Sequence, residues 1–407
     1  MNAFLPREFG KTDAVARLAE QAGLTGVNPH DFQAVEAVLA RLAEALPPAS
    51  GPVAFAEARD LPGMAERVIV PGRFRETLPP HLTNGRHKTF PAHMGGEDSP
   101  PLKLLCAPEA YFLHMARAPI TIAADSRHVV RDYSSRFAGL LPFYDFDLAT
   151  SLAGARHVQG AALVLSDDIF PLNFCHWIAD TLPRLFCLGE RRDVTVVVSD
   201  TEAGFKRDSL RLCGVPDERV LVLPEFQAVR ADMLMVPADT REMPHPAFKG
   251  APWAIDFLRA QLALPALLSV PQAPRPRRLY VSRADAGGRR VLNEDAMARL
   301  LLPLGYHMTT LSGLSLAEQI ALFCDAERVV GLHGAGLTSM VFAPRRSRLI
   351  EILPETYGMP SFYVLAAGQG MEYASYIARD VRPGSRDQLD DVVIDIADFE
   401  RCCGALL

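Results

Sequence analysis

Hydrophobic and polar positions alternate along the middle of this chain in a pattern of short strands and helices. Ala161–Leu165 is a short apolar strand, and a helix is predicted to begin near Asn173. Val194–Val198 is an uninterrupted run of β-branched residues, which is typical of a strand buried on both faces of a parallel sheet. A helix around 205–212 and a strand over 220–223 complete this first alternating block.

A second block begins after Pro271–Arg278, a proline-rich and basic segment that is typical of a linker between domains. Ser315 and Glu318 have the capping-box spacing of a helix start. Strands that alternate with helices indicate βαβ units, so the two blocks predict an α/β protein with two Rossmann-like domains facing a cleft. The predicted strands of the second block are 279–282, 306–310, 328–331 and 349–353, and its predicted helices are 293–303, 315–324 and 336–342.

The chain is less regular on either side of these blocks. Apolar positions near helical spacing predict two helices within 11–46. Residues 51–119, rich in Pro, Gly and His, favour strands and loops, and 390–407 favours a final helix that packs on either domain. The predicted divisions are a helical extension (1–50), an N-terminal domain (51–270), a C-terminal domain (271–385) and a C-terminal helix (386–407).

Composition excludes several classes of protein. The 407 residues hold 42 Lys and Arg against 48 Asp and Glu, a formal net charge of -6, which argues against nucleic-acid binding. Seven cysteines without a Cys-x-x-Cys pair indicate free thiols in a reducing compartment. Charges in the first residues argue against a secretory signal, and no apolar stretch reaches the ~20 residues of a membrane span. We expect a cytoplasmic protein without a transmembrane segment, and association with a membrane surface stays open.

A polar line within an otherwise apolar helix is the first candidate site. His176 and Asp180 are four residues apart and therefore share one helix face, which Asn173 and Arg184 extend. A carboxylate beside histidine suits a general base at neutral pH. We predict His176 and Asp180 as catalytic, and Asn173, Trp177 and Arg184 as residues that position an acceptor. The alternative is a structural His–Asp pair with an arginine salt bridge.

A glycine-rich turn between a strand and a helix is the second candidate site. His333, Gly334, Ala335 and Gly336 follow the strand at 328–331. Glycine lets the backbone approach a ligand, and the first N–H groups of a helix favour phosphate. The turn does not match G-x-G-x-x-G, and a simple tight turn is the alternative.

A basic loop is the third candidate site. Arg283 ends a predicted strand, and Arg289 and Arg290 follow two glycines. Guanidinium groups bind diphosphate in bidentate fashion, although a solvated basic loop would have the same pattern. Glu351, at the end of another strand, is a candidate acceptor for ribose hydroxyls or a helix cap.

No metal site is predicted. His81, His87 and His93 have no standard ligand spacing. Asp145 and Asp147 form a D-x-D pair of the kind that holds a metal and a nucleotide-sugar in some transferases, but such pairs arise by chance in a chain with this much Asp.

Four ordered segments together resemble glycosyltransferase family 61, which includes capsular-polysaccharide-type enzymes and eukaryotic O-GlcNAc and xylan transferases. The segments are NFCHWIADTLPRL at 173–185, YVSRADAGGRRVLNED at 280–295, SLAEQIALFCDAERVVGLHGAGLTSMVF at 315–342 and LIEILP at 349–354. Cys175 and Ser339 depart from the family pattern, in which an aromatic residue and Asn are common at these places.

The resemblance implies a GT-B fold, with the nucleotide-sugar donor on the C-terminal domain and the acceptor mainly on the N-terminal one. It also implies an inverting reaction without an obligatory metal or other cofactor. Asp180, alone or through His176, would take a proton from an acceptor hydroxyl. Arg283, Arg289 and the 333–336 turn would stabilise the departing diphosphate, and Glu351 would hold the ribose.

The resemblance therefore predicts sugar transfer from a nucleotide-sugar, expected to be UDP-linked, to a saccharide or other hydroxyl in polysaccharide or glycan biosynthesis. The alternatives are a non-catalytic carbohydrate- or nucleotide-binding protein and an NAD-dependent dehydrogenase. The chain keeps both the base-bearing helix and the arginines, and it lacks the G-x-G-x-x-G of a dehydrogenase.

Overall fold

The computed structural model describes most of the chain beyond residue 53. The described ranges are 54–88, 96–99, 101–115, 118–135, 147–166, 173–199, 203–237, 250–382 and 390–407, with the single positions 20, 90, 138, 141 and 201. The two helices predicted within 11–46 lie outside these ranges.

The described strands, in chain order, are β1 (Ala54–Ala56), β2 (Ala65–Val70), β3 (Arg73–Glu76), β4 (His81–Leu82), β5 (Gly96–Ser99), β6 (Leu102–Pro108), β7 (Tyr111–Met115), β8 (Ala118–Ile122), β9 (His128–Val130), β10 (Arg156–Val164), β11 (Thr195–Val198), β12 (Val220–Val222), β13 (Gln227–Pro237), β14 (Arg278–Val281), β15 (His307–Thr309), β16 (Arg328–Leu332), β17 (Arg348–Pro354), β18 (Glu372–Asp380) and β19 (Val392–Val393).

The described α-helices are α1 (Leu148–Ala153), α2 (Phe174–His176), α3 (Gly204–Leu212), α4 (Pro252–Leu258), α5 (Leu264–Ser269), α6 (Glu294–Leu301), α7 (Leu316–Cys324), α8 (Ser361–Gln369) and α9 (Ile396–Cys403). Wider π turns occupy Trp177–Thr181 and Arg259–Ala263. Tighter 3₁₀ helices are Ala58–Asp60, Arg131–Tyr133, Leu182–Leu188, Asp217–Arg219, Leu302–Leu304, Ala335–Phe342 and Gly404–Leu406.

The first sheet is mixed, in the order β1-β9-β8-β7-β13-β10-β11-β12, with β6 paired to β13 and to β2. The strands β13, β10, β11 and β12 are parallel neighbours. The strands and helix predicted over 161–223 are therefore confirmed. Only this part of the sheet is Rossmann-like, because β2, β6, β7 and β8 add to it in antiparallel pairs, which need no helical crossover.

The second sheet follows the predicted alternation closely. Its strands β15, β14, β16, β17 and β18 are parallel in that order, and β19 pairs antiparallel to β18. Counted within the sheet, this is the doubly wound order 2-1-3-4-5. Such sheets bind ligands at the carboxyl ends of the strands where the order reverses. Here that point lies between β14 and β16.

The predicted domain boundary at residue 270 does not separate the two sheets. β4 lies within the predicted N-terminal domain, yet it pairs in parallel with β18 of the second sheet. The Asn84 side chain strengthens this pairing, since its amide donates to the Ile377 carbonyl at 2.9 Å and its oxygen accepts from the Ile377 N–H at 2.8 Å. The mixed α/β character with parallel sheets is clear, while two domains facing a cleft stay a prediction.

Apolar side chains of both sheets join in one buried cluster. Leu163 and Val196 of the first sheet share it with Val329 and Leu349 of the second sheet and with Trp177. The far face of the second sheet is covered by α9, which buries Phe399 and Cys403 against it. Within the segment predicted as a C-terminal helix, residues 392–393 form β19, and the helix begins at Ile396 and packs on the second sheet. No helix within the described ranges is long and apolar enough to span a bilayer.

Candidate active site

The helical segment 174–188 carries the first group of candidate residues. The Asn173 side-chain oxygen caps its start by accepting from the N–H groups of Cys175 at 2.9 Å and His176 at 3.3 Å. The segment then widens into a π turn and tightens into a 3₁₀ helix that begins at Leu182. Single π turns inside helices are frequent at functional sites.

His176 and Asp180 form the pair that their spacing predicts. His176 Nδ1 lies 2.9 Å from Asp180 Oδ2, and the side chains are 32% and 14% exposed. A carboxylate at Nδ1 holds the ring in one orientation and leaves Nε2 for another partner. The pair is thus reachable from solvent and arranged to accept or shuttle a proton.

The three residues predicted to position an acceptor have structural contacts instead. Trp177 is fully buried, and its indole N–H donates to Ser209 Oγ at 2.8 Å, so its ring belongs to the core. Arg184 is also buried and donates to the carbonyls of Asp180 at 3.2 Å and Ser166 at 3.4 Å. Asn173 uses its side-chain oxygen as the helix cap described above. These contacts tie the helix to the end of β10 and hold Asp180 in place.

Arg283 lies directly after β14, at the switch point of the second sheet. Its Nε donates to the Arg289 carbonyl at 2.9 Å and its Nη2 to the Gly288 carbonyl at 3.1 Å. A Cβ on Gly334 would stand 2.2 Å from Arg283 Nη1, so only glycine allows the guanidinium to lie against this turn. Burial and then the charge of Arg289 lower the pKa of Arg283 to about 10. Within the described ranges no carboxylate forms an ion pair with Arg283, and such a half-buried cation favours an anionic ligand.

Arg289 joins the same place from the basic loop. Its backbone takes a left-handed φ of 58°, and its Nη1 donates to the His333 carbonyl at 3.0 Å. The structure therefore brings Arg283, Arg289 and the 333–336 turn together as predicted. Arg290 points elsewhere, because its Nη2 pairs with Asp391 Oδ2 at 2.8 Å.

The turn after β16 leads into a 3₁₀ helix at Ala335–Phe342, where a short helix is predicted. Gly334 is buried, whereas Ala335 and Gly336 are partly exposed. A Cβ on Gly336 would meet Leu311 at 2.8 Å, so this glycine serves close packing. α2 lies against this 3₁₀ helix, so the first candidate group and the turn are neighbours.

Glu351 does not face a ribose site, which corrects the sequence prediction. It is fully buried on β17, and its carboxylate accepts from His333 Nδ1 and from the Tyr373 hydroxyl. Burial and the negative charge of Glu351 raise the pKa of Tyr373 well above its usual range, so the phenol remains a donor. Glu351 therefore orients the His333 ring, which is 7% exposed.

Among the side chains that contact His333 or its partner, sequence reasoning missed Tyr357, Phe362 and Tyr373. Tyr357 follows β17 in the loop beyond Pro354, and its ring lies 5.5 Å from the His333 ring. Its place at the carboxyl end of a parallel strand was a signal that could have found it. No such signal pointed to Tyr373, because in the sequence it is only one more apolar residue of the strand β18.

The residues considered for metal binding are dispersed. Among the described residues, no group of three or more His, Cys, Asp or Glu could hold an ion. His87 is buried, with Nε2 3.0 Å from the Pro354 carbonyl, and Asp147 caps α1 by accepting from the Ala149 N–H at 3.0 Å. His93 and Asp145 lie outside the described residues.

Comparison with known proteins gives a family match over the candidate site. The family model for glycosyltransferase 61 matches residues 174–350, which contain the helix with His176 and Asp180, both arginines and the 333–336 turn. This stretch is therefore similar to the glycosyltransferase 61 family. The resemblance drawn from the four ordered segments is therefore confirmed.

Curated glycosyltransferase 61 relatives are similar over part of the chain. The rice β-1,2-xylosyltransferase XAX1 is 35% identical over 103 residues, which are 24% of this chain and 18% of that protein. An Arabidopsis thaliana β-1,2-xylosyltransferase is 35% identical over 63 residues, 16% of this chain and 12% of that one. The rice α-1,3-arabinosyltransferase XAT2 is 33% identical over 108 residues, 24% and 18% of the two chains. The chain thus matches less than a fifth of the length of each relative.

One solved structure, the iron-containing dodecameric glycosyltransferase TibC of enterotoxigenic E. coli, covers 65% of this chain and 79% of its own. Its sequence identity is 12% and its TM-score is 0.26, a value too low to carry an argument.

Proposed function

We propose that this protein is an inverting glycosyltransferase that moves a hexosyl or pentosyl group from a UDP-linked donor to a hydroxyl of a saccharide acceptor, in polysaccharide or glycan biosynthesis. One observation carries the proposal. α2, which bears His176, lies against the 3₁₀ helix that follows the arginine-lined turn of the second sheet. This contact supports the proposal, because a displacement at a sugar phosphate requires the proposed proton acceptor and the proposed anion site to be neighbours.

The donor diphosphate would bind at the switch point of the second sheet. Arg283 and Arg289 supply positive charge, and the backbone of the 333–336 turn approaches closely because Gly334 carries no side chain. His333, fixed at Nδ1 by Glu351, would present Nε2 to a phosphate oxygen. Charge stabilisation at a preorganised site commonly lowers a barrier by several kcal/mol, on the order of 3–4 for a single donor.

The chemical step would be one in-line displacement. The acceptor oxygen bonds to the anomeric carbon while the bond from that carbon to the diphosphate oxygen breaks. The acceptor proton passes to Asp180 directly or to His176 held by Asp180. The nucleoside diphosphate leaves with the bonding electron pair, and the anomeric configuration inverts.

A donor panel tests the proposal. The purified protein is mixed with UDP-, GDP- and CMP-linked sugars, with and without saccharide acceptors, and released nucleotide is measured. We expect release of UDP, an inverted product by NMR, and activity that survives EDTA because arginines neutralise the leaving group. UDP binding without any turnover would favour a non-catalytic binding protein, and a thermal shift with NAD but not with UDP would favour a dehydrogenase.

A further inference from the structure

Tyr357 occupies the loop that follows β17, beside two residues of the proposed donor site. The Arg289 guanidinium carbon lies 4.6 Å from the centre of the Tyr357 ring. The His333 ring lies 5.5 Å from it with 76° between the planes, an edge-to-face contact. One partly exposed aromatic side chain therefore touches both groups.

Buried polar groups fasten the start of this loop. Asp380, 1% exposed, accepts from the backbone N–H groups of Glu355 at 3.0 Å and Thr356 at 2.9 Å and from the Thr356 hydroxyl. His87, 1% exposed, lies with Nε2 3.0 Å from the Pro354 carbonyl. Burial lowers the pKa of His87, so its ring is neutral and Nε2 donates to this carbonyl. The backbone that leads to Tyr357 is thus held by two separate segments of the chain.

A segment outside the family match supplies His87. Residues 81–88 run along the edge of the second sheet, where β4 and Asn84 are paired to β18. They also bring Phe90 to within 6.4 Å of the Tyr373 ring, behind Glu351. The donor-site loop is therefore completed by chain that lies far from it in sequence.

The contact between Tyr357 and Arg289 restrains the arginine without neutralising it. A carboxylate partner would cancel the charge that a diphosphate needs, whereas an aromatic face attracts a cation and leaves its charge available. The Arg289 backbone is held at a left-handed φ of 58°, and one guanidinium N–H is used on the His333 carbonyl. The ring of Tyr357 is a further contact on the guanidinium.

We infer that Tyr357 is a positioning residue that holds Arg289 in the orientation that binds the donor diphosphate, an inference that rests on the proposed function. The aromatic ring of Tyr357 makes this contact with Arg289, and its hydroxyl does not contribute to it. Tyr357→Phe should therefore preserve the function, and Tyr357→Leu should lose it.

Calorimetric titration of the full chain with UDP tests this inference. We expect Tyr357→Leu to raise the UDP dissociation constant roughly 3- to 30-fold, the range for a cation–π contact, and Tyr357→Phe to stay within about twofold of wild type. Tyr111→Leu is a matched control, because Arg230 lies 5.8 Å from the Tyr111 ring in the first sheet, away from the site. Should Tyr357→Leu fold poorly by circular dichroism, Tyr357→Gln removes the same ring.

A double-mutant cycle separates positioning from direct stacking on the nucleotide. In an Arg289→Ala background, Tyr357→Leu should change the UDP dissociation constant by less than about twofold, because the two residues act as one unit. An undiminished effect in that background, or an unchanged constant for Tyr357→Leu alone, would overturn the inference. If the wild-type protein binds none of UDP, GDP and CDP, the proposed function itself fails.

Discussion

Two histidine–carboxylate pairs, each joined through Nδ1 of the ring, differ in how far they are buried. In the segment 174–188, His176 and Asp180 are 32% and 14% exposed and belong to one helical segment. At the second sheet, His333 and Glu351 are 7% and 0% exposed; His333 directly follows β16, and Glu351 lies on the neighbouring parallel strand β17. Both pairs join Nδ1 of the ring to a carboxylate oxygen.

The surroundings assign the pairs different roles. A general base must exchange its proton with a substrate, and the partly exposed His176–Asp180 pair suits the general base of the proposed function. Glu351 has no exposure and a second partner in Tyr373, so its carboxylate fixes the His333 ring and cannot receive an acceptor proton. An exposed ion pair adds little stability, while breaking a buried one is costly. Substitutions in the two pairs should therefore have different effects on activity and stability.

The largest effect is expected at Asp180. Asp180→Asn keeps the shape but removes the proton acceptor and the support for a charged His176. General-base catalysis is typically worth ~10²–10⁴-fold, so the transfer rate should fall by at least ~10²-fold. Initial rates and UDP titrations should show this loss with an unchanged nucleotide dissociation constant.

Asp232→Asn is the matched control for Asp180. His157 and Asp232 form an exposed pair 2.8 Å apart in the first sheet. This variant should transfer sugar at the wild-type rate. Near-normal transfer by Asp180→Asn would remove Asp180 from the mechanism and leave His176→Ala as the next test.

Arg283→Ala should weaken UDP binding by about 1.5–3 kcal/mol, or about 10- to 150-fold, because a hydrogen bond to a charged group is lost. Calorimetry measures the change. Arg290→Ala removes a neighbouring arginine whose Nη2 already pairs with Asp391 at 2.8 Å, and it should bind UDP nearly as wild type does. Equal losses in both variants would mean that a general basic loop, and not the Arg283 position, attracts the nucleotide.

Glu351→Gln should lower the free energy of unfolding by about 1–3 kcal/mol, since a buried polar group loses a hydrogen-bond partner. Asp180→Asn should lower it less, by about 1 kcal/mol, because the His176–Asp180 pair is partly exposed. Urea unfolding of the two variants gives the comparison directly. If Asp180→Asn proves the more destabilising, the pair on the helix is the structural one.

The smallest expected effect is a change in the pH dependence of stability, and it concerns His87. This residue contacts the start of the loop that bears Tyr357. Burial lowers its folded pKa, so the unfolded chain binds a proton more readily as the pH falls below about 6.5. Stability from His87 is therefore present above pH 7 and is lost on acidification, by at most about 1.4 kcal/mol per pH unit. Between pH 7.5 and 5, the free energy of unfolding should fall less steeply with pH in His87→Gln than in wild type. Identical slopes in the two proteins would contradict this role of His87.

The sequence by itself determined the features that rest on local pattern. The run Val194–Val198 became β11, and Ser315 and Glu318 make both bonds of the predicted capping box. His176 and Asp180 pair because four residues bring side chains to one helix face. Arg283 and the 333–336 turn meet because the carboxyl ends of β14 and β16 lie side by side in a parallel sheet. Periodicity and spacing contain this information.

Only the tertiary structure decided which polar side chains remain available for chemistry. Glu351 was expected at a ribose and is instead fully buried, where it accepts from the hydroxyl of Tyr373 on the adjacent strand β18. Trp177 was expected at an acceptor and lies in the core between the sheets. His87 reaches the loop after Pro354 across 267 residues of chain. Burial and partners of this kind depend on which distant segments pack together, and a strand or helix pattern does not contain that information.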